Sequence, residues 1–547
     1  MVDHQRTGGS AVVGALKDHG VTTVFGLPGL QLDYIFDGLY RETDSIRVVH
    51  TRHEQAATYM AFGYAQASGE VGTSLVVPGA GVLNTMAALS TAYACNAPVL
   101  ALTGQIPSAL IGGGLGALHE IPNQLTALAS VTKWQGHIAS TDQVGPVMQE
   151  AFEQLQTGRR RPVAVEIPMD IAAQPIAPGT GAGAAPQPVQ AAALDDDAIS
   201  AAADLLANAA NPAIFVGGGI WGAEKALLAI AERLQAPVFM TPHALGAMDA
   251  RHPLAQNMQV ANDVWRTVDV ALAIGTRFLH PLLDWGCDGS VKIIRVDIDP
   301  VQAALPKASD VTIVGGAEAV TGAMLAVLEQ RAAPRESRLE IWTERKAATE
   351  KHYGDLLQPQ RDYTRAIRSA VPDDTVFCFD VTQLHFYSWF GFPAYRPRSV
   401  IQPGYQGTLG YGYPTALGAK VAMPDKPVVY IGGDGGFMFN CQELSTAMHF
   451  GIDVIAVIFN DGAFGNVRRI QKEQFGARYI SSDLHNPDFV RLAESFGMAA
   501  MRTDSPEGLA RLVREALTRD GPVLIEVNVS PMPNPHPLMF TRRVHPA

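Results

Sequence analysis

Apolar residues in this chain fall into short, nearly unbroken runs that end in glycine-rich turns, the pattern of strands buried on both faces of a parallel sheet. The clearest pair lies late in the sequence. Pro427-Val428-Val429-Tyr430-Ile431 leads into Gly432-Gly433-Asp434-Gly435-Gly436, and Ile452 to Phe459 leads into Asn460-Asp461-Gly462-Ala463-Phe464-Gly465, with a helical run from Gln442 to His449 between them. A strand, a helical crossover and a second strand return the chain to the same edge of a sheet. The sequence therefore predicts Asp434 and Asp461 side by side at the carboxyl edge of a doubly wound sheet, where ligands of such folds sit.

Earlier segments repeat the pattern. A helix over 11–16, a strand over 21–26 and a tight turn at Leu27-Pro28-Gly29 are followed by a strand over 45–50 and a helix opening at Thr51-Arg52-His53-Glu54-Gln55 and running through Ala65. The stretch 71–118 lacks Asp, Glu, Lys and Arg, but Pro78, Gly79, Gly81, Asn84, Asn96 and Pro98 interrupt it. It is predicted to be strand, turn, helix and strand in a buried core, not a membrane helix. A strand over 162–167 closes the first unit. An Ala-, Pro- and Gly-rich linker is predicted over 172–193, and a second linker near 332–338 leads through a helical stretch to a third unit at about residue 360. Between the linkers, strands over 213–216, 268–274 and 291–298 and the run Gly217-Gly218-Gly219 predict a nucleotide-domain-like α/β unit. The glycine spacing is not GxGxxG, so close packing explains the run as well as a ligand does. Arg161-Pro162-Val163-Ala164-Val165-Glu166-Ile167 is echoed by Gly521-Pro522-Val523-Leu524-Ile525-Glu526-Val527, which points to a duplicated fold. The expectation is an α/β protein of three doubly wound parallel-sheet domains, over residues 1–172, 195–331 and 355–547.

Bulk properties narrow the function. A length of 547 residues accommodates roughly three to four domains. With 47% hydrophobic and 17% charged residues the balance is that of a folded enzyme, and a net charge of −12 without long runs argues against a nucleic-acid or anionic-membrane surface. Cys95, Cys287, Cys378 and Cys441 are isolated and read as reduced, mostly buried thiols. The N-terminal residues lack a secretory apolar core, so a cytoplasmic protein is expected.

Two carboxylates beside turns that expose backbone N–H groups suit a Mg²⁺ ion carrying a diphosphate. Gly433-Asp434-Gly435 closing with Asn460-Asp461 resembles the thiamine diphosphate motif of the acetolactate synthase, pyruvate decarboxylase and benzoylformate decarboxylase superfamily. Taken alone, Glu54 could be a solvated first-turn residue facing a helix dipole. Arg52-His53-Glu54-Gln55 with Gly63-Tyr64-Ala65, however, resembles the segment that supplies the cofactor glutamate in acetolactate synthases. A carboxyl facing N1′ of the aminopyrimidine promotes removal of the thiazolium C2 proton, and burial near Val77, Pro78 and Ala80 is expected to raise its pKa. Pro78 and Asn84 match the family's glycine-rich turn, and Thr132-Lys133-Trp134 matches a later signature. Val381, Thr382 and Gln383 match a segment that touches the diphosphate. Gly407 and Leu409 match the turn that bends the cofactor, with Leu409 as the wedge between its rings; as a bare leucine it would be core. The resemblance covers nearly the whole chain and implies that Gly433, Asp434, Gly435, Gly436, Asp461, Ala463, Phe464 and Gly465 hold the diphosphate, with Asp434, Asp461 and the Ala463 carbonyl on the metal. It also implies a homodimer or dimer of dimers, with the cofactor between the first domain of one subunit and the third of another.

Departures mark the limits of the resemblance. Asp461 replaces the more usual asparagine. Arg277-Phe278-Leu279-His280-Pro281 stands where acetolactate synthases have Arg-Phe-Asp-Asp-Arg, so FAD binding is not supported. His119 lies where acetolactate synthases carry glutamine and pyruvate decarboxylases histidine, and is either a proton shuttle or a surface or packed side chain. Leu30 stands where some relatives place a polar or acidic catalytic residue, Asn466, Val467 and Ile470 replace the glutamate or tryptophan that tune substrate choice elsewhere, and His280 and His385 have no assigned role. The leading expectation is thiamine-diphosphate-dependent decarboxylation or carboligation of a small 2-oxo acid through a C2 ylide and an enamine. Hydrolysis of a 1,2-diketone and a cofactor-binding homologue without turnover are the alternatives.

Overall fold

The computed structural model describes residues 6–176, 193–539 and 543–545. The linker predicted over 172–193 lies for the most part outside them. Three six-stranded sheets form, and every pairing between their strands is parallel. The first contains β1 (Thr23–Gly26), β2 (Arg47–His50), β3 (Gly72–Val76), β4 (Val99–Gln105), β5 (Trp134–His137) and β6 (Val163–Pro168). The second contains β7 (Pro212–Val216), β8 (Val238–Met240), β9 (Ala255–Gln256), β10 (Val270–Ile274), β11 (Lys292–Asp297) and β12 (Val311–Val314). The third contains β13 (Val376–Phe379), β14 (Val400–Ile401), β15 (Val428–Gly433), β16 (Val454–Asn460), β17 (Ala499–Thr503) and β18 (Val523–Asn528).

The order β2-β1-β3-β4-β6-β5 of the first sheet is repeated as β14-β13-β15-β16-β18-β17 in the third. The sequence echo falls on β6 and β18, which occupy the same place in the two sheets. Each carries a buried glutamate facing a polar partner across the flanking edge strand: Glu166 opposite His137, and Glu526 opposite Arg502.

Apolar runs became the central strands, β4 being buried along its whole length. Short or half-exposed strands carried no comparable signal: β8 has three residues, β9 and β14 two each, and β17 is only partly buried. Residues 332–338 lack regular structure but are fastened to the middle domain, since Arg335 donates to the Leu206 carbonyl at 2.9 Å and Arg338 to that of Ala210 at 3.0 Å. Of the four cysteines, all free, only Cys378 is fully buried; the others are half-buried, contrary to expectation, Cys95 and Cys441 at helix ends and Cys287 in a loop.

The middle domain has a core of its own, whereas the first and third share one. The helices Glu54–Ser68 and Gly412–Ala422 cross backbone to backbone. A Cβ on Gly63 would lie 2.0 Å from the Thr415 oxygen, and one on Gly418 would lie 1.9 Å from that of Met60.

Candidate active site

β15 and β16 are adjacent, with Gly433 opposite Phe459, so Asp434 and Asp461 emerge at one edge of the third sheet. Asp434 is buried, and its Oδ2 accepts from the Gly462 N–H at 3.0 Å and from Asn486 Nδ2 at 2.6 Å. Asn486 also donates to Asn460 Oδ1 at 3.0 Å, tying the two turns together. Burial raises the Asp434 pKa, while burial and the neighbouring Asp434 charge push Asp461 up to about 6. Gly465 is required beside it: a Cβ there would meet Asp461 Oδ2 at 2.6 Å. Two hard oxygen donors that load each other with charge fit a divalent cation. Among the described residues no group of three His, Cys, Asp or Glu side chains could hold a metal, so further ligands here would be a backbone carbonyl, phosphate and water. Ala463 follows directly, its N–H bonded to Asp461 Oδ1 at 3.2 Å.

The neighbouring segments close around this edge. Gly433 faces Thr382, Gly436 faces Asp380, and Gly435 faces the ring of Phe464; at Gly435 and Gly436 a Cβ would crowd the facing group. Asp380, buried and raised to about 6, fixes the turn by accepting from the Val381 N–H at 2.8 Å. Thr382 begins the helix Gln383–Gly391, and Gln383 Oε1 is buried without a partner. Gly407 adopts a φ of +56°, the left-handed region that favours glycine. Two residues on, Leu409 is half-buried and not part of the core, because it lies on this exposed turn.

Glu54 lies at the carboxyl edge of the first sheet, at the N-terminus of the helix after β2, and accepts from Asn84 Nδ2 at 3.0 Å. It is half-buried; Val77 and Pro78 are buried nearby, but Ala80 and Asn84 are exposed, so the burial expected for the carboxyl is only partial within one chain. The loop before it is held by the third domain: the Arg52 N–H donates to both oxygens of buried Glu443, at 3.2 and 3.1 Å. His119, at a φ of 68°, contacts Gln31 Oε1 through Nδ1 at 3.1 Å, and its backbone lies against Gly79. Gln124 accepts from the Gly79 N–H at 2.9 Å and donates to Glu166 at 2.8 Å, so a buried polar network supports this turn. Gln31, Gln124, Glu166 and Asn486 were missed from sequence; only the Glu166 and Glu526 echo offered a signal.

No hydrogen bond or ion pair joins Glu54 to either aspartate among the described residues. Each half of the site instead borders uncovered apolar side chains, Leu30, Leu83, Leu115 and Leu118 on the first domain and Phe439, Val467, Phe475 and Ile480 on the third; Leu115 is 71% and Ile480 74% exposed. In the middle domain, Gly217 and Gly219 lie against the backbone of Gly275, so the approach of two loops accounts for glycine there. His280 pairs with Asp284 at 2.6 Å, and burial drives His385 down to about 3.

Three models of thiamine pyrophosphate enzymes match in order: the N-terminal TPP binding domain over 6–128, the central domain over 199–324 and the C-terminal TPP binding domain over 380–527. The chain belongs to the thiamine pyrophosphate enzyme family. It is 34% identical to a probable acetolactate synthase large subunit of Methanocaldococcus jannaschii, over 96% of this chain and 92% of that protein. It is likewise 34% identical to a probable 2-ketoarginine decarboxylase of Pseudomonas aeruginosa, over 95% and 94%. The large subunit of acetolactate synthase isozyme 3 of Escherichia coli is 31% identical over 98% and 96%. Within this family the two halves described above fall in the N- and C-terminal cofactor domains. No helix among the described residues is long and apolar enough to cross a membrane.

Proposed function

We propose that this protein is a cytoplasmic, Mg²⁺- and thiamine-diphosphate-dependent enzyme that decarboxylates a small 2-oxo acid and releases the product or joins it to a second carbonyl compound. The observation that carries this is the pair of carboxylates, buried Asp434 and half-buried Asp461, on adjacent strand ends beside glycine-rich turns. When bound, the cofactor supplies a carbon nucleophile and accepts the electrons released as carbon dioxide leaves. Asp434, Asp461 and the Ala463 carbonyl hold the metal, and the Gly433, Gly435, Gly436 and Gly465 turns, with Val381, Thr382, Gln383 and Phe464, surround the diphosphate. Gly407 and Leu409 shape the space for the rings. Glu54, oriented by Asn84, holds a proton at the pyrimidine N1′ position, and Pro78 walls that side. His119, set by Gln31, moves a proton at the substrate oxygen.

The site is completed by a second copy of the chain, in a homodimer or a dimer of dimers. The two uncovered apolar surfaces, each at one half of the site, support this reading. A screen of 2-oxo acids with Mg²⁺ and thiamine diphosphate tests the whole, with analysis for carbon dioxide, aldehyde and 2-hydroxyketone. The expected result is carbon dioxide release; cleavage of a cyclic 1,2-dione without it would overturn the reading. Asp434→Ala is expected to abolish cofactor binding measured by calorimetry, while Asp461→Asn keeps most of it, since an amide oxygen remains a hard donor.

A further inference from the structure

The helix Gly465–Gln474 starts at the metal-side turn, and residues four apart along it share one face. That stripe runs Gly465, Arg469, Glu473. Its inner end is fixed by the contact of Gly465 with Asp461. Its outer end is exposed, for the Glu473 side chain is 50% accessible and that of Arg469 only 12%. Arg469 therefore sits one helical turn, about 5.4 Å, beyond the metal ligand, facing inward.

Its guanidinium is largely unspent. Nη2 donates to Asn466, and Nε lies at 4.0 Å from Glu473, the limit of an ion pair, while Nε and Nη1 are buried without a hydrogen-bond acceptor. Arg368 also carries two buried unpartnered nitrogens, but its guanidinium lies over the rings of Phe377 and Tyr395, and Arg468 pairs with Asp483 and covers the Tyr479 ring. Two more unsatisfied atoms lie on the same side. His536 Nε2 is buried without a partner, its ring tilted at 56° against Phe386 with centroids 4.4 Å apart, and Gln383 Oε1, also without a partner, belongs to the helical turn before Phe386. Asn534 donates to Glu473 at 3.4 Å and accepts from the His536 N–H at 2.9 Å, which holds His536 beside this helix, and burial and then the Arg469 charge lower the His536 pKa. Burying donors of a cation without an acceptor is costly, so a polar anion is the group this place is built to receive.

We propose that Arg469, with His536, receives an anionic group at the distal end of the substrate, making the preferred substrate a 2-oxo acid that carries a second carboxylate or comparable anion. This rests on the 2-oxo acid reading above and names the substrate class within it. The cofactor diphosphate is the other source of anion. It belongs to the first turns at Asp461 and Thr382, whereas Arg469 and Phe386 lie a turn further out. A substrate ending in a cation is disfavoured, unlike the one in the name of the Pseudomonas aeruginosa relative.

The test uses the full chain loaded with Mg²⁺ and thiamine diphosphate and three acids: 2-oxoglutarate, 2-oxopentanoate and 5-guanidino-2-oxopentanoate. The expected kcat/KM is at least about tenfold higher for the dicarboxylate than for either of the others, and Arg469→Gln lowers that preference roughly 10- to 100-fold, with Arg469→Lys restoring part of it. Calorimetric binding of unreactive glutarate weakens in parallel in Arg469→Gln. A preference for 2-oxopentanoate or the guanidino acid, or a ratio unchanged by Arg469→Gln, would overturn the proposal. So would weaker thiamine diphosphate binding in Arg469→Gln with the substrate ratio intact, which would assign the residue to the diphosphate. Glutarate binding that needs Arg469, with none of the three acids turned over, would support the anion site and overturn the decarboxylase reading instead.

Discussion

A glutamate at the start of a helix ordinarily faces water and the helix dipole, and periodicity alone does not distinguish Glu54 from that role; only the motif around it does. The structure adds Asn84, which orients one carboxylate oxygen, and Glu443, which grips the backbone two residues before it. A carboxyl so fixed can share a proton at a set position. Glu54→Gln keeps the shape and removes the acid, so H/D exchange at the cofactor C2 and turnover should both fall, by roughly 10²- to 10⁴-fold, while thiamine diphosphate still binds. NMR exchange rates on the loaded protein would show it; unchanged exchange would remove Glu54 from the reaction. The aspartates and Glu54 were legible because each sits in a contiguous motif. Gln31, Gln124 and Asn486 were not: their partners His119, Glu166 and Asp434 lie 88, 42 and 52 positions away, and only the fold closes those distances.

At the scale of elements, what could be read was what the chain writes locally. Continuous apolar runs announced the central strands, and the Pro-Val repeat announced that the first and third sheets share an order. Strands of two or three residues left no periodicity to detect. The helix crossing between the first and third domains was also hidden, since a glycine within a helix signals only a lost propensity of about 1 kcal/mol. Its reason is backbone contact. Gly418→Ala puts a methyl group where the Met60 carbonyl stands and should cost about 1–3 kcal/mol in urea unfolding, against the small gain alanine gives in an open helix. The helix Leu339–Leu356 offers a second test. Lys346 donates to the carbonyls of Ala250 and His252, both at 2.7 Å, and burial lowers its pKa from 10.5 to about 8. Between those values the unfolded chain keeps a proton that the folded chain has released, so this residue makes stability rise with pH across that window. Comparing unfolding free energies at pH 8 and pH 10 should give a smaller rise in Lys346→Met than in the native protein.

The whole molecule poses the question of where its site closes. Glu54 belongs to the first domain and the aspartates to the third, and although these domains share a core within one chain, no hydrogen bond or ion pair among the described residues joins Glu54 to either aspartate. Each half is instead edged with exposed apolar side chains, a surface of the kind a second copy would cover. If two copies exchange halves, each site draws Glu54 from one subunit and Asp434 from the other. Glu54→Gln and Asp434→Ala would each be inactive as pure dimers. In a mixed dimer, both defects fall in one site, and the other combines the intact Glu54 of the Asp434→Ala subunit with the intact Asp434 of the Glu54→Gln subunit. Unfolding and refolding an equal mixture makes about half of the dimers mixed, each with one sound site of two, so activity should return to roughly a quarter of the native level. Were each site closed within a single chain, every site in the mixture would keep one defect, and refolding would restore nothing.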